Sequence, residues 1–448
     1  MLKRRQIERL RSNIRGNVLT PNDGAFHSTG PLQSNNGVEP PRQTAQIIVQ
    51  PFDGEDVADA IRFAQEVGIG LAAIGGGGHP AKLASVSGGM LVDMSKLKSI
   101  QVNPVDQWAI TQTGVVWGEF DRVTQAFGLA CTGATVPSAG VAGQALSGGI
   151  GWLHRVQGLT CDHVISAELA TADGSLINVS EDENSELLWA LKGAGRHFGV
   201  VTSIAYHLSS LGPAVLGGYV TYPLDKLGEL AEHVDALSPD FPEALSTWIF
   251  AECDENGMGI CRLAIFYAGD LDEAEAWHGN LISFCPPIAD SVQPTTYLNW
   301  QEHSALGSIS NAVRCWHALD LELFAPGVVE IFKQSITDAP TRDCRICVVH
   351  LGGALRKRDV ELCAIGPVQS KNRVIVLGDS KTAKEGELCE KWASQVRDSL
   401  INLGGRIVDP GFSGDSVPAS DLYTEAALDR LRLLKASFDP SGLFGPDF

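Results

Sequence analysis

Ile69-Gly70-Leu71-Ala72-Ala73-Ile74 runs directly into Gly75-Gly76-Gly77-Gly78-His79-Pro80. The apolar half reads as a short buried strand. The glycine half lacks Cβ atoms, so its backbone can approach another group closely and adopt positive φ. Successive N–H groups in such a turn form a concave site for an anion. An imidazole closes the run, where whatever lies against that backbone must pass it. Together these residues point to a phosphate-bearing nucleotide cofactor, with His79 placed to tether it. A second cluster strengthens the reading: Gly140-Val141-Ala142-Gly143-Gln144-Ala145-Leu146-Ser147-Gly148-Gly149-Ile150-Gly151-Trp152.

A nicotinamide-type Rossmann site needs a strand, a G-x-G-x-x-G turn and a helix, with an acid about 20 residues on. Here no helix follows His79. Ala84 to Gly89 is turn-rich, and Met90-Leu91-Val92-Asp93-Met94 reads as a new strand. Neither cluster has the fingerprint spacing, so the Rossmann reading is set aside.

Composition sets further bounds. The chain has 448 residues, 44% hydrophobic, enough for two or three domain cores. Its formal net charge of −19 argues against a nucleic-acid partner. The basic run from Lys3 to Arg15 reads as a solvated helix face. The first residues lack an apolar signal core, and no apolar run reaches the length of a membrane span. Ten cysteines without dense spacing suit a reduced, cytoplasmic protein. Cys344-Arg345-Ile346-Cys347 is a C-x-x-C, but it lies in a strand-like apolar run with no second pair at zinc spacing. No metal site is expected.

The pattern along the chain alternates strands and helices, including a helix over Asp56–Val67 and another over Trp117–Phe127. Near Gly212-Pro213 it shifts to long strands: Ser246–Glu252, Cys261–Tyr267 and Asn372–Leu377. Helices are expected at Gly386–Leu400 and Glu425–Ser437. The whole predicts an α+β protein with an antiparallel sheet in its middle.

Several segments in order resemble the berberine-bridge-enzyme-like oxidases, which have the vanillyl-alcohol-oxidase type FAD fold. They are GGGGH at Gly75–His79, LVDMSKLKSIQV at Leu91–Val102, WGEFDRVTQAFGLA at Trp117–Ala130 and GVAGQALSGGIGWLHRVQGLTCDHV at Gly140–Val164. ELLWALKGAGRHFGVVTSI at Glu186–Ile204, LGGALRKRD at Leu351–Asp359 and FDPSGLF at Phe438–Phe444 complete the set. The resemblance implies two domains: a discontinuous FAD-binding domain, 1–211 and 391–448, and an antiparallel-sheet substrate domain, 212–390.

It also implies FAD bound covalently through His79, with Gly75, Gly76, Gly77, Gly78, Pro80, Val136, Gly140, Gly143, Gly149, Gly151 and Val201 around the cofactor. The family's second, cysteinyl bond falls at Val136, so a single tether is expected; Cys131 lies five residues too early. Gly75 stands where relatives carry arginine. Arg406 stands where many carry a catalytic tyrosine, and Val408 where they carry asparagine. Arginine stays protonated and is a poor base, so the catalytic residue is left open, with Arg406 as a weak candidate.

A substrate that ionises readily, such as a hydroquinone, needs less help from a base. The expected activity is therefore an oxidase taking two electrons from a small aromatic, hydroquinone or other natural-product substrate and passing them to O2. The flavin oxidases of antibiotic biosynthesis and self-resistance, including mitomycin-resistance-type oxidases, look nearest in organisation. The alternatives are a flavin-containing drug-binding protein and a redox-neutral flavin-dependent cyclase. A monomer or homodimer is expected. Trp152, His154 and Arg155 are candidates to border the flavin, and Trp248, Tyr297 and His350 to face the substrate. Asp162 is expected in a structural turn, and Arg196 is a candidate for a phosphate contact.

Overall fold

The computed structural model describes residues 2–27, 45–77, 88–303, 313–321, 326–407, 418–445 and 448. The chain opens with helix α1 (Arg4–Asn13), followed by strands β1 (Asn17–Leu19) and β2 (Ile47–Gln50). Helix α2 (Gly54–Val67) starts where the Asp53 side chain accepts from the Asp56 N–H, and ends at Gly68 with φ +67. Both are favoured helix-terminal devices. The Asp56 carboxylate in turn accepts from the N–H groups of Arg15, Gly16 and Phe52, tying the amino-terminal segment to this helix. Strands β3 (Leu71–Ile74) and β4 (Met90–Asp93) run parallel to each other and complete a sheet of order β1-β2-β4-β3. α2 buries Val57, Ala60, Ile61 and Ala64 in the same core as Ile47, Val49, Met90 and Val92.

A second, antiparallel sheet has the order β5-β6-β10-β8-β9. Its strands are β5 (Ile100–Asn103), β6 (Trp108–Gln112), β8 (Val164–Ala170), β9 (Leu176–Val179) and β10 (Val200–His207). The two-residue strands β7 (Leu129–Ala130) and β11 (Ser209–Ser210) pair beside it. Helices α3 (Trp117–Gln125), α4 (Val141–Ala145) and α5 (Ser185–Ala194) bury Trp117, Phe120, Val141, Leu187 and Leu191 in one core with Leu169, Ile204 and Tyr206.

The third sheet joins nine strands among the described residues. They are β12 (Val215–Pro223), β13 (Leu245–Cys253), β14 (Gly259–Tyr267), β15 (Ala289–Asp290), β16 (Gln293–Thr295), β17 (Val313–Leu321), β18 (Arg345–His350), β19 (Asn372–Ser380) and β20 (Arg406–Ile407). The central strands β13, β14, β18 and β19 are buried on both faces, and successive side chains divide between them. Leu245, Ile249, Leu263, Ile265, Ile346, Val348, Val374 and Val376 face one core. Helices α6 (Leu227–Leu237), α7 (Leu271–Leu281), α9 (Pro326–Thr337) and α10 (Ala383–Ile401) pack there; α8 (Tyr297–His303) does not. Trp248, Phe250, Ala264, Phe266, Cys347, Val349, Ile375 and Leu377 face the other core. That core also takes Ala130, Val136, Ile150, Trp152, Leu153 and Leu159 from the amino-terminal half, together with Tyr297 and Trp300 of α8.

Two features of the sequence take their places here. The domain junction expected at 390/391 falls inside α10. The helix's buried residues Cys389, Trp392, Ala393, Val396 and Leu400 all belong to the helix-covered core of the nine-stranded sheet. The C-x-x-C pair is also split. Cys344 faces the helix-covered core and Cys347 the opposite one, because three residues along extended chain reverse the side-chain direction. The last helix, α11 (Glu425–Phe438), does return to the amino-terminal half. It buries Leu428 and Leu431 with α5, and Arg430 makes two bonds to Glu186 while lying over the Trp189 ring.

Candidate active site

β3 delivers Gly75–Gly77 into a crowded backbone junction. The Gly76 N–H bonds to the Thr113 carbonyl at 3.3 Å. A Cβ at Gly75 would stand 2.8 Å from that carbonyl oxygen, one at Gly76 would collide with the Gly114 carbonyl, and one at Gly77 would collide with the Gly140 amide. Glycine here is a packing requirement: three backbones meet where side chains do not fit. The contact also brings the two glycine clusters together, since Val116 forms a β-bridge with Gly140. Gly78, His79 and Pro80 lie outside the described residues.

Gly140 precedes α4, and Gly143 sits on its exposed side with no atom within 4 Å of where a Cβ would stand. Among the described residues nothing requires glycine at 143. Gly149, at φ +87, turns the backbone against Gln144 and Thr160, and Gly151 lies against the Gly133 carbonyl. Gln144 donates to the Ile150 carbonyl at 3.0 Å. Its own carbonyl oxygen, with the hydroxyls of Thr113 and Thr160, is buried without a hydrogen-bond partner among the described residues. Val136 is buried against the sheet, and Val201 lies in β10 beside Leu169.

Trp152 leads from the second cluster into an aromatic wall. Its ring lies 4.6 Å from Trp248 on β13 and 4.9 Å from Trp300 on α8, and Trp300 stacks on Phe266. The indole N–H groups of Trp152, Trp248 and Trp300 have no acceptor among the described residues. A buried N–H in that state carries a desolvation cost of about 1–3 kcal/mol.

An FAD-binding-domain family model matches residues 45–180. An FAD-linked oxidoreductase of Aspergillus ruber is 34% identical, over 89% of this chain and 84% of its own. The (R)-6-hydroxynicotine oxidase of Paenarthrobacter nicotinovorans is 27% identical over 96% of each chain. The solved berberine-bridge-enzyme-like protein 1 of Physcomitrella patens superposes with a TM-score of 0.86 at 16% identity, covering 99% of this chain and 98% of its own. This chain belongs to the FAD-linked oxidoreductases.

Its fold is the vanillyl-alcohol-oxidase type, as the motif order implied, and FAD is the cofactor of the matched family. The residues of the oxidoreductase fit such a group. Glycines leave backbone rather than side chains at the cradle, Gly143 leaves room, and orphaned donors and acceptors surround it.

Other sequence candidates take structural places. The His154 ring lies between the Gly151 carbonyl (2.5 Å) and the His350 carbonyl (3.1 Å). Burial outweighs these bonds and lowers its pKa to about 4. Arg155 donates to the carbonyls of Leu351 and Phe241, so this pair clamps the second cluster to the nine-stranded sheet. His350 meets the Thr247 hydroxyl at 3.1 Å, and burial lowers its pKa to about 4 also. Tyr297 accepts from Gln301 and is fully buried. Arg196 bonds to the His197 ring at 3.0 Å. Asp162 holds its turn by accepting from the Leu159 N–H, and it receives two bonds from Arg358.

Arg406 lies on β20 opposite Asp320, exposed at the sheet edge. Asp320 pairs with the buried guanidinium of Arg373 at 2.8 Å. Cross-strand partners share a face, and the register runs Trp248–Val349–Arg373–Asp320–Arg406. All five therefore lie on the face that meets the amino-terminal half. Val408 lies outside the described residues. Burial raises the phenols of Tyr206, Tyr219, Tyr222, Tyr267 and Tyr297.

Sequence reasoning missed Arg373 and Asp320, 53 positions apart. It also missed Asp121, fully buried on α3, which accepts from Gln301 of α8 at 2.9 Å. Burial raises its pKa to about 7. The one available signal was an acid within the apolar spacing of α3.

Proposed function

We propose that this oxidoreductase holds FAD through one bond at His79 and oxidises a small, electron-rich aromatic such as a hydroquinone, with O2 as the electron acceptor and hydrogen peroxide as product. Gly75 to Gly78 and Pro80 line the pyrophosphate-side cradle, and Gly140, Gly143, Gly149 and Gly151 shape the second wall. Val136 and Val201 pack beside the cofactor, and Val136 leaves His79 as the single tether. Bound FAD supplies the two-electron acceptor.

What supports the substrate reading is the charge row that β19, β17 and β20 present on the sheet face toward the amino-terminal half, beside the buried cluster of Trp152, Trp248, Trp300 and Phe266. The charge row Arg373–Asp320–Arg406 carries a net positive charge on the same face, which lowers the energy of a developing phenolate. Arg406, exposed and adjacent to Asp320, is the group placed to orient it. With Arg406 in place of the usual tyrosine, and with burial raising the phenols of Tyr206, Tyr219, Tyr222, Tyr267 and Tyr297, the substrate's own acidity does what a tyrosine base does elsewhere. No described helix is long and apolar enough to span a membrane. A monomeric or homodimeric, cytoplasmic enzyme of antibiotic biosynthesis or self-resistance suits this chemistry.

The test is anaerobic mixing with hydroquinones, phenols, sugars and polyketide alcohols while flavin absorbance is followed. Bleaching by hydroquinones, then peroxide release on admitting O2, is the expected result. Bleaching by sugars alone refutes the substrate class.

A further inference from the structure

A strap from Leu351 to Ile365 leaves the nine-stranded sheet and folds over the second glycine cluster. Ile365 fills the space against Gly148 and Gly193, and the Ala364 N–H bonds to the Lys192 carbonyl at 3.1 Å. On its underside two side chains of the strap, Arg358 and Cys363, meet two of the amino-terminal half, Cys161 and Asp162. Arg358 donates to both Asp162 oxygens, at 2.6 and 2.9 Å, and to the Cys363 sulfur at 2.9 Å. The Cys161 sulfur lies 3.8 Å from the Asp162 carboxylate. The ligand atoms of Cys161, Asp162 and Cys363 all fall within 4.8 Å of one another. A cation has no place in this trio, because the Arg358 guanidinium already supplies the positive charge.

We propose that Cys161 and Cys363 form a redox-active dithiol that closes to a disulfide across the two halves of the molecule, with hydrogen peroxide as oxidant. The sulfurs need to approach by at most about 2.8 Å to reach the bonding distance of about 2.05 Å. Cys363 is the attacking group. The Cys161 thiol beside it and the Arg358 guanidinium donating to its sulfur at 2.9 Å lower the Cys363 thiol, and a cation so placed stabilises a thiolate. Its sulfur takes one peroxide oxygen, forming a sulfenic acid and releasing water. The Cys161 sulfur then attacks the sulfenic sulfur, its proton passes by way of Asp162 to the leaving hydroxide, and a second water departs. Two thiols lose two electrons in total, and one peroxide becomes two waters. Both cysteines are buried, so attack requires the strap to lift, a local opening of the kind available to short irregular segments.

A second thiol pair is an internal control. The sulfurs of Cys344 and Cys389 lie 3.6 Å apart, but no guanidinium donates to either among the described residues. Both also lie within the helix-covered core, so their linkage joins nothing across the halves.

The full-length flavoprotein is exposed to hydrogen peroxide under native conditions, alkylated with N-ethylmaleimide and digested without reduction. The expected product is a Cys161–Cys363 linked peptide, two hydrogens lighter than its parts. The oxidised protein should unfold several degrees higher, an increase reversed by dithiothreitol. In Cys161→Ser, dimedone should trap a sulfenic acid at Cys363; in Cys363→Ser, none should form at Cys161. The wild-type peptide map decides the matter even if a variant fails to fold. Both cysteines alkylated, linkage confined to Cys344–Cys389, or Cys363 driven to sulfinate with Cys161 still alkylated would each overturn the proposal.

Discussion

Replacing Asp121 by Asn isolates the cost of one buried carboxyl. The side chain is 1% exposed, accepts one bond from Gln301 and has its other oxygen without a hydrogen-bond partner among the described residues. Cys131 and Tyr297 stand nearby, and burial pushes both their pKa values well up, so neither supplies a charge near neutrality. The folded pKa of Asp121 is raised from 3.8 to about 7. A raised acid favours the protonated folded state. Its contribution is therefore fully present below pH 3.8, declines as pH rises toward 7, and is lost above that. At 1.36 kcal/mol per unit, and with the folded group half ionised at pH 7, wild type loses about 2.3 kcal/mol between pH 5 and 7 that the Asn variant keeps. For a cooperative unit of 150–250 residues, about 2–4 °C per kcal/mol converts this to roughly 5–10 °C of melting temperature. Thermal unfolding of both proteins from pH 5 to 8.5 measures the difference. Asparagine also offers N–H donors to oxygens now unsatisfied, so the variant should be the more stable at pH 8. Parallel pH profiles for the two proteins would refute the reasoning.

Three further outcomes are expected. Acid precipitation should leave yellow flavin on the wild-type protein, with flavin mass found only on the His79 peptide and none on Cys131; His79→Ala should release any flavin it retains. Arg406→Leu should slow reduction by an acidic phenolic donor by roughly 10- to 100-fold, the worth of one charge-assisted hydrogen bond, with the flavin still attached. Phe at each of the six tyrosines should cause no comparable loss, as stopped-flow reduction will show. Gly76→Ala should lose flavin content and thermal stability together, since its methyl group collides with the Gly114 carbonyl.

The strands β13, β14 and β19 were legible because they are apolar on both faces and bounded by polar turns. α2 was legible from its apolar spacing, and the cradle from four glycines after a strand. Contacts between distant segments were not. Asp121 meets Gln301 across 180 positions, and nothing local in either segment announces the other. The helix Gly386–Leu400 was read correctly as a helix, but an amphipathic face does not say which core receives it, so the boundary at 390/391 cut through it. Trp152 illustrates the same limit. Its burial was foreseeable, but its neighbours Trp248 and Trp300 come from a strand and a helix far along the chain. His79, the most informative single residue of the sequence, lies outside the described structure.

The two-sided burial of β13, β14, β18 and β19 has an evolutionary consequence. Along each strand, alternate codons answer to different selective demands. Ile249, Leu263, Val348 and Val376 meet only the helices behind the sheet, so changes there register as lost stability. Trp248, Phe266, Val349 and Ile375 meet the amino-terminal half, so changes there alter how the sheet seats against it. A lineage can therefore retune that seam by altering every second residue of four strands while the scaffold behind them stays constant. A library confined to that alternating set should shift the contacts between the halves at less loss of folded protein than one spread over whole strands.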